Sequence, residues 1–393
     1  MRLCFVCPNL RAKLENGGED LLFRYADAWN ELCDRATAAP FHRPEWIRAY
    51  LQAFEPKAEV TLLTISSGEK LLAVLPLLQQ RGWYAGVPVA KLAGPGNAHS
   101  VRFDLVVAPE LALETAVSLM WAELKRMPGW QLLMLPVFPQ RGGCDMMIQL
   151  AAAEGHHTLT YLFQDSPILR MPSNDAGKLD PFARTNRHFR HELRRYARLL
   201  EEETGHTPRL VCHIDDDPNR LSKFYELEAA GWKGERGSAI ACDPGTRRFY
   251  DAIAQEGSRR GYFCLHTLET NGTVAAAAFS VKTEHCFAPM KIAYDESLHR
   301  GGPGQLLFNG ILQECAERQI PEFFFGGAKD RYKTSWTEET LPHFNGYIFR
   351  PGVLGRLAYE SRTRILSPLG QLRRRMKERM KERKRDQTPG RAA

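Results

Sequence analysis

The chain has 393 residues, 44% of them hydrophobic and 25% charged, which is ordinary globular material with room for two domains of common size. The formal net charge is +7, yet from Arg362 onward there are 12 Lys/Arg and 3 Asp/Glu, against 41 basic and 43 acidic residues before it. The body is therefore about neutral, the tail carries the basicity, and DNA is not an expected partner. The opening "MRLCFVCPNLRAKLENGGED" has no apolar core of signal-peptide length, and no later segment approaches the roughly 18 apolar residues of a membrane span. Nine scattered cysteines suit a reducing compartment better than a disulfide framework, so a cytoplasmic protein is expected. Cys4 and Cys7 form one Cys-x-x-Cys, but no second pair follows at zinc-ribbon spacing, and no metal is expected there or elsewhere in the chain.

In chain order, "EWIRAYLQAF" has helical periodicity, and "AEVTLLTIS" and "LLAVLPLLQQ" read as a hairpin about Ser67-Gly68. "KLAGPGNAHSVRFDLVV" reads as a broken strand pair, followed by a helix through "LETAVSLMWAELKRM" and a strand in "WQLLMLPV". The second half replays this order. Helices near "LSKFYELEAAGW" and "TRRFYDAIAQEGSRR" precede strands "YFCLHTLE" and "TVAAAAFSV" joined by Asn271-Gly272, the strongest short hairpin signal. Strand "CFAPMKIAYDE", helix "GQLLFNGILQECAER" and strand "EFFFGG" complete it. Cys315 falls on the packed face of that helix and reads as core. The repeat rests on element order, since identity between the halves is negligible.

Between the halves, "FARTNRHFRHELRRYARLLEEETG" places Phe189, Leu193, Tyr196 and Leu200 on one helical stripe and Arg187, Arg190, Arg194 and Arg198 roughly opposite. The arginine stripe is either a solvated face or, through Arg187 and Arg194, a contact for an anionic substrate or nucleotide phosphates. His188 and His191 share one face, but a cation beside so many arginines would be repelled.

"AYDESLHRGGPGQLLFNGIL", residues 293 to 312, joins a strand to a helix through a Gly/Pro cluster. A helix N-terminus leaves its first amides unpaired and carries partial positive charge, so Gly301, Gly302, Gly304 and Gln305 can offer N–H groups to an anion, with Arg300 at the mouth. Proline suits the first helical position, where Pro303 stands. The P-loop pattern fails because Gln305 and Leu306 follow Gly304 where Lys and Ser/Thr are required. The dinucleotide fingerprint fails because Leu307 replaces its third glycine and "PEFFFGG" ends without a carboxylate. "AGPGNAHS" near residue 93 echoes the cluster, but a strand follows it and no phosphate site is expected there.

"ELEAAGWKGERGSAI", "MKIAYDESLHRGGPGQLL" and "GGAKDRYKTSW", in this order, resemble the acetyltransferase domain of the CelD/BcsL type, a branch of the GCN5-related N-acetyltransferase (GNAT) superfamily close to the FemAB-like aminoacyl transferases. The resemblance runs from about residue 40 to 350. It implies an α/β (α+β) fold of two tandem GNAT-like lobes, each a mixed, mostly antiparallel sheet flanked by helices, with the substrates between them. The expected division is 1–165 for the N-terminal lobe, 166–355 for the C-terminal acyltransferase lobe and 356–393 for a basic helical or disordered tail. The resemblance further implies an acyl-CoA co-substrate, acetyl-CoA first, whose pyrophosphate meets the Gly-Pro-Gly loop, although Pro303 stands where the family's central glycine is expected. The acceptor it implies is a small-molecule or glycan-precursor amine in polysaccharide or cell-envelope biosynthesis. The alternatives are an aminoacyl-tRNA donor, as in the FemAB-like relatives, and a non-catalytic anion-binding lobe pair.

Acyl transfer from a thioester requires a neutral amine, a polarised carbonyl and a proton for the departing thiolate. By the resemblance, a backbone amide between Met290 and Ile292 contacts the carbonyl. Asp295, beside the loop, is the first candidate to take the amine's proton, or else a turn cap. Tyr294 or Tyr332 can return a proton to sulfur, since phenol and thiol pKa values lie within about two units. Lys333 aligns with a lysine of the FemAB-like pattern that binds anions or offsets negative charge, and Trp232 and Lys233 are expected to line the cleft. "LGQLRRRMKERMKERKRD" presents Leu369, Leu372, Met376 and Met380 on one narrow stripe among cations, which suits an anionic membrane surface, RNA or a solubilising tail.

Overall fold

The structure, a computed structural model, describes residues 9–173 and 176–366. Cys4, Cys7 and the tail from residue 367 lie outside the described residues. The first half contains strands β1 (Leu10–Gly17), β2 (Glu59–Ser67), β3 (Lys70–Tyr84), β4 (Val87–Ala93), β5 (Val106–Val107), β6 (Leu132–Pro139) and β7 (His157–Arg170). Its helices are α1 (Glu19–Arg35), α2 (Pro44–Phe54), α3 (Leu113–Arg126) and α4 (Gly143–Ala153). The second half contains β8 (Arg209–His213), β9 (Phe263–Thr270), β10 (Thr273–Lys282), β11 (Cys286–Tyr294), β12 (Glu322–Phe324) and β13 (Thr340–Phe349). Its helices are α5 (Arg187–Thr204), α6 (Pro218–Ala230), α7 (Trp232–Glu235), α8 (Pro244–Arg260), α9 (Pro303–Glu317), α10 (Arg331–Thr334) and α11 (Val353–Glu360).

Local chemistry accounts for the elements that sequence located. Asn271 and Gly272 adopt φ of 49° and 76°, the left-handed pair a two-residue hairpin turn needs, and Thr270 pairs with Thr273 across them. Asn186 caps α5 by accepting from the Phe189 amide at 2.7 Å, and Gly205 ends it at φ 72°. β3 is buried continuously from Leu71 to Leu78 because the sheet is covered there on both faces, which is why its sequence does not alternate.

The strands order as β1-β2-β3-β4-β6-β13-β7-β12-β11-β10-β9-β8, with β5 on β3. Pairing is antiparallel except for β4 with β6 and β11 with β12. Those two parallel pairs mark the same point in each half, and the halves exchange their last strands around them. β13 lies between β6 and β7 of the first lobe, while β7 also pairs with β12 of the second. Helices α2 and α8 close the junction, with Trp46 edge-on to Phe249 at 5.4 Å and Glu45 bonded to Arg260 at 3.0 Å. Cys315 is buried in the second core with Leu307, Phe308 and Trp336.

The two parallel pairs differ in one respect. In the first lobe the space beyond β4 is filled, since a Cβ on Gly94 would come within 2.5 Å of Phe103 and one on Gly96 within 2.8 Å of Pro136. In the second, β11 and β12 pair only over Cys286 with Glu322 and Phe287 with Phe323. From Ala288 onward β11 therefore has one edge without a strand. A bulge at Met290, which the register across β10 skips between Lys291 and Pro289, bends that stretch further.

Candidate active site

A cavity of about 570 Å³ occupies the gap where β11 and β12 diverge. Ala288 to Ile292 form one wall, Phe324 to Gly327 the other, and the first turn of α9 closes one end. Asn97, Val137 and Gln164 of the first half reach into the same space, so both lobes shape it. Of the residues expected from sequence, Trp232, Lys233, Met290, Ile292, Tyr294, Gly302, Gly304, Gln305, Tyr332 and Lys333 line it together.

Five do not. The Asp295 carboxylate accepts from the Ser297 amide at 2.9 Å and its hydroxyl at 2.6 Å, so it caps the turn and stays outside the cavity wall. Arg300 is exposed beyond the lining. Gly301 is buried against Leu200, whose Cβ a side chain at 301 would approach within 2.8 Å. Arg187 and Arg194 lie on the exposed face of α5, whose packed face sets Tyr196 against Gly302.

The anion-binding capacity of the loop is narrower than its glycine content suggests. A short 3-10 turn, Glu296–Gly301, precedes α9, and Gly302 takes φ 53° to pass between them. The Gly302 amide donates to the His299 carbonyl at 3.1 Å, and the Gln305 and Leu306 amides donate to the Gly302 carbonyl at 2.9 and 3.1 Å. Pro303 has no N–H. Within this loop, among the described residues, the Gly304 amide has no intramolecular acceptor and lines the cavity.

Gln305 works through its side chain. Its Nε2 donates to the Tyr332 carbonyl at 2.9 Å and its Oε1 accepts from the Trp336 indole at 2.7 Å, fixing residues 332 to 336 to α9. Tyr332 then lies flat on Phe308, with ring centroids 6.1 Å apart and planes 7° from parallel. The residue is 43% exposed, and partial burial, then the neighbouring Asp330 and Tyr294, raise its phenol above the usual tyrosine range, so it is a neutral hydrogen-bond donor at physiological pH.

Lysines supply the cavity's charge, and no carboxylate lines it among the described residues. Lys233 Nζ donates to the Ile292 carbonyl at 2.5 Å and meets Glu228 at 3.1 Å, and Lys291 approaches the same Glu228 oxygen at 3.6 Å. Because the C=O and N–H of one strand residue point to the same edge, the Ile292 amide also faces the gap. Lys333 donates to the Gly326 and Ala328 carbonyls at 2.7 and 3.2 Å, tying together the left-handed turn at Gly326 and Gly327. Burial lowers the pKa of both Lys291 and Lys333, opposed by Glu228 for the first and Asp330 for the second. His299 Nδ1 lies 3.0 Å from the Glu296 carbonyl, which leaves Nε2 as an acceptor at the cavity rim.

Sequence reasoning missed Glu228, Lys291 and His299. Glu228 had a signal: it sits on the apolar stripe of α6 with Leu221, Phe224 and Tyr225, where an acid calls for a buried partner. Lys291 and His299 had none, because a lysine in a strand and a histidine in a turn are unremarkable until the strands part.

Residues 187–334 match the family model of the acetyltransferase (GNAT) domain. Comparison with curated proteins finds no match. Among solved structures, FemX superposes with a TM-score of 0.55 at 11% identity, over 81% of this chain and 96% of that one. The C-terminal domain of an Agrobacterium fabrum protein assigned as a lysylphosphatidylglycerol synthetase gives 0.52 at 10% identity, over 84% and 92%. A tandem GNAT protein from the clavulanic acid pathway gives 0.46 at 15%, over 87% and 100%. At such identities the feature shared with the first two is the fold. Among the described residues, no helix is long and apolar enough to cross a membrane. The match to the acetyltransferase (GNAT) domain thus falls on residues 187–334, the stretch that carries β11, the loop and α9 of the splayed second lobe.

Proposed function

We propose that this chain is an N-acyltransferase that moves an acyl group, acetyl first, from acyl-CoA to an amino group of a sugar, polysaccharide precursor or related cell-envelope metabolite. The observation that supports it is the parting of β11 from β12 beside the Gly304 amide. That gap gives a thioester arm a strand edge to lie along and its pyrophosphate a helix N-terminus. The Ile292 amide is positioned to polarise the thioester carbonyl, and the amine attacks with no protein nucleophile between them. The C–N bond forms as the C–S bond breaks, and the neutral Tyr332 phenol returns a proton to sulfur. With Asp295 engaged by Ser297, the amine's proton goes to His299 Nε2, directly or through water.

Calorimetric titration with acetyl-CoA, longer acyl-CoA species and free CoA tests the donor. Saturable binding of the acylated forms supports the reading, and no binding by any of them refutes it. Tyr332→Phe keeps the ring stack and is expected to lower kcat about 10²-fold with KM little changed.

One observation favours an aminoacyl-tRNA donor instead: the exposed arginines of α5, Arg187, Arg190, Arg194 and Arg198, run along the outside of the loop. RNA that co-purifies with the chain and leaves at high salt is the outcome that reading requires. We place the protein in the cytoplasm, with residues 362–393 as a contact for an anionic membrane face or RNA. Deleting them and measuring retention by anionic liposomes and tRNA decides that point.

A further inference from the structure

Away from the cleft, three soft ligands meet on the outer strands of the second lobe. Cys212 on β8 stands across from His266 on β9, and Cys264 precedes His266 by two residues, hence on the same face of β9. Their ligand atoms all lie within 4.8 Å of one another. Cys264 and His266 are 0% and 1% exposed, and Cys212 is half-buried.

The imidazole is held in the orientation a metal needs. His266 Nε2 lies 2.9 Å from Glu314 Oε2 on α9, and Glu314 Oε1 is held by Arg318 at 2.8 Å. A ring whose Nε2–H donates to a carboxylate carries its lone pair on Nδ1. That nitrogen is buried and has no hydrogen-bond partner. A buried lone pair that faces two thiols offers, with their sulfurs, three ligand atoms to a cation lying among them.

We propose that Cys212, Cys264 and His266 bind a zinc ion through two thiolates and Nδ1, with Glu314 as the outer carboxylate that orients the histidine and water in the fourth position. Two sulfurs and one nitrogen suit zinc, whereas magnesium and calcium require oxygen donors that this pocket does not present. Binding releases the two thiol protons to solvent. Glu314 lies ten residues along α9 from Gly304, about 15 Å at helical rise, so the ion takes no part in acyl transfer. Its place is structural: it ties edge strand β8 to β9 beneath the helix whose first turn bounds the cleft. Cys264 and His266 make a Cys-x-His on β9, but Cys212 stands 52 and 54 residues before them (264 − 212 and 266 − 212), so no paired short-spacing zinc motif reveals the set. The sequence expectation was of no metal in the chain, and the proposed site departs from it: Cys212, Cys264 and His266 become neighbours only when β8 pairs with β9.

The test uses the full chain, purified under reducing conditions without affinity metal. Elemental analysis is expected to find near-stoichiometric zinc, and cobalt exchanged into the site is expected to give thiolate-to-cobalt charge-transfer absorption. Cys212→Ser, at the half-buried position, is expected to lose the metal while circular dichroism reports a folded chain, and Glu314→Gln to weaken it about tenfold or more. A wild-type chain that takes up neither zinc nor cobalt while its thiols remain titratable overturns the proposal. Undiminished zinc in a Cys212→Ser, Cys264→Ser double variant overturns it equally.

Discussion

Gln305 accepts the indole hydrogen of Trp336 at 2.7 Å, joining the first turn of the loop helix to a tryptophan that is 0% exposed. The same amide donates to the Tyr332 carbonyl, so one side chain sets both the position of α9 and that of the tyrosine assigned to protonate sulfur. Gln305→Ala strands a buried indole N–H, at a cost of about 1–3 kcal/mol. Chemical denaturation is expected to show that loss. Gln305→Glu keeps the acceptor for Trp336 and loses the donor to Tyr332, so it is expected to recover stability while kcat stays depressed. Equal stability losses in both variants would contradict the assignment.

The Glu228 cluster makes a second, separable claim. Its carboxyl is 2% exposed, accepts from the Ile240 amide at 2.8 Å and neutralises both Lys233 and Lys291. Lys233→Met removes one cation and strands the Ile292 carbonyl, but Lys291 still faces the acid. The cost is therefore expected at about 2 kcal/mol, below the 3–5 kcal/mol typical of a buried charge stripped of its only partner. Urea denaturation measures it. Glu228→Gln is expected to lower the Lys291 pKa further, because the carboxylate is what opposes desolvation there. Faster modification of Lys291 by an amine-reactive reagent at fixed pH reports that shift.

His343 lies in the exchanged strand β13, across from Pro139 on one side and Gln164 on the other. It is 0% exposed, and neither ring nitrogen has a hydrogen-bond partner. Desolvation first, then the Arg102 cation, pushes its pKa down from 6.5 to about 4, with the nearby Leu341 backbone and then Asp165 opposing. Because the folded value is the lower one, the unfolded chain takes up the proton first. The stability is present above pH 6.5 and is lost as pH falls toward 4. A shift of that size corresponds to about 3 kcal/mol. His343→Leu is expected to reduce the acid-induced loss between pH 7 and 4 by about that amount in urea titrations, while His42, pushed down to about 3, maintains a residual slope.

The second lobe's core elements were legible because turn chemistry and apolar period agree there: Asn271-Gly272, the α5 stripe and the α9 stripe all stand where expected. The first lobe's α4 and both exchanged strands were not. β7 shows a half-exposed, irregular burial pattern, and β13 carries Pro342, Asn345 and Gly346 within it. Both depend on strands from the other half to become strands at all, which is tertiary context overriding local preference. The cavity wall was largely readable from the loop and the "DRYKTSW" stretch. The fate of Asp295 was not, because a carboxylate two residues before a serine reads alike whether it caps a turn or faces a substrate.

The two central glycines of the loop separate conformation from ligand space. Gly302 needs φ 53°, and a Cβ there would press on the Tyr196 ring at 2.8 Å, so Gly302→Ala is expected to destabilise the fold by about 1–3 kcal/mol. Gly304 has no such constraint: a Cβ there would meet only Tyr294, at an ordinary 3.7 Å, and the position is helical. Gly304→Ala is therefore expected to leave the melting temperature unchanged or slightly higher. The methyl group stands beside the amide assigned to the pyrophosphate, so CoA affinity is expected to fall about tenfold by calorimetric titration, which corresponds to about 1.4 kcal/mol. Retained affinity in a stable Gly304→Ala protein would move the phosphate site away from α9.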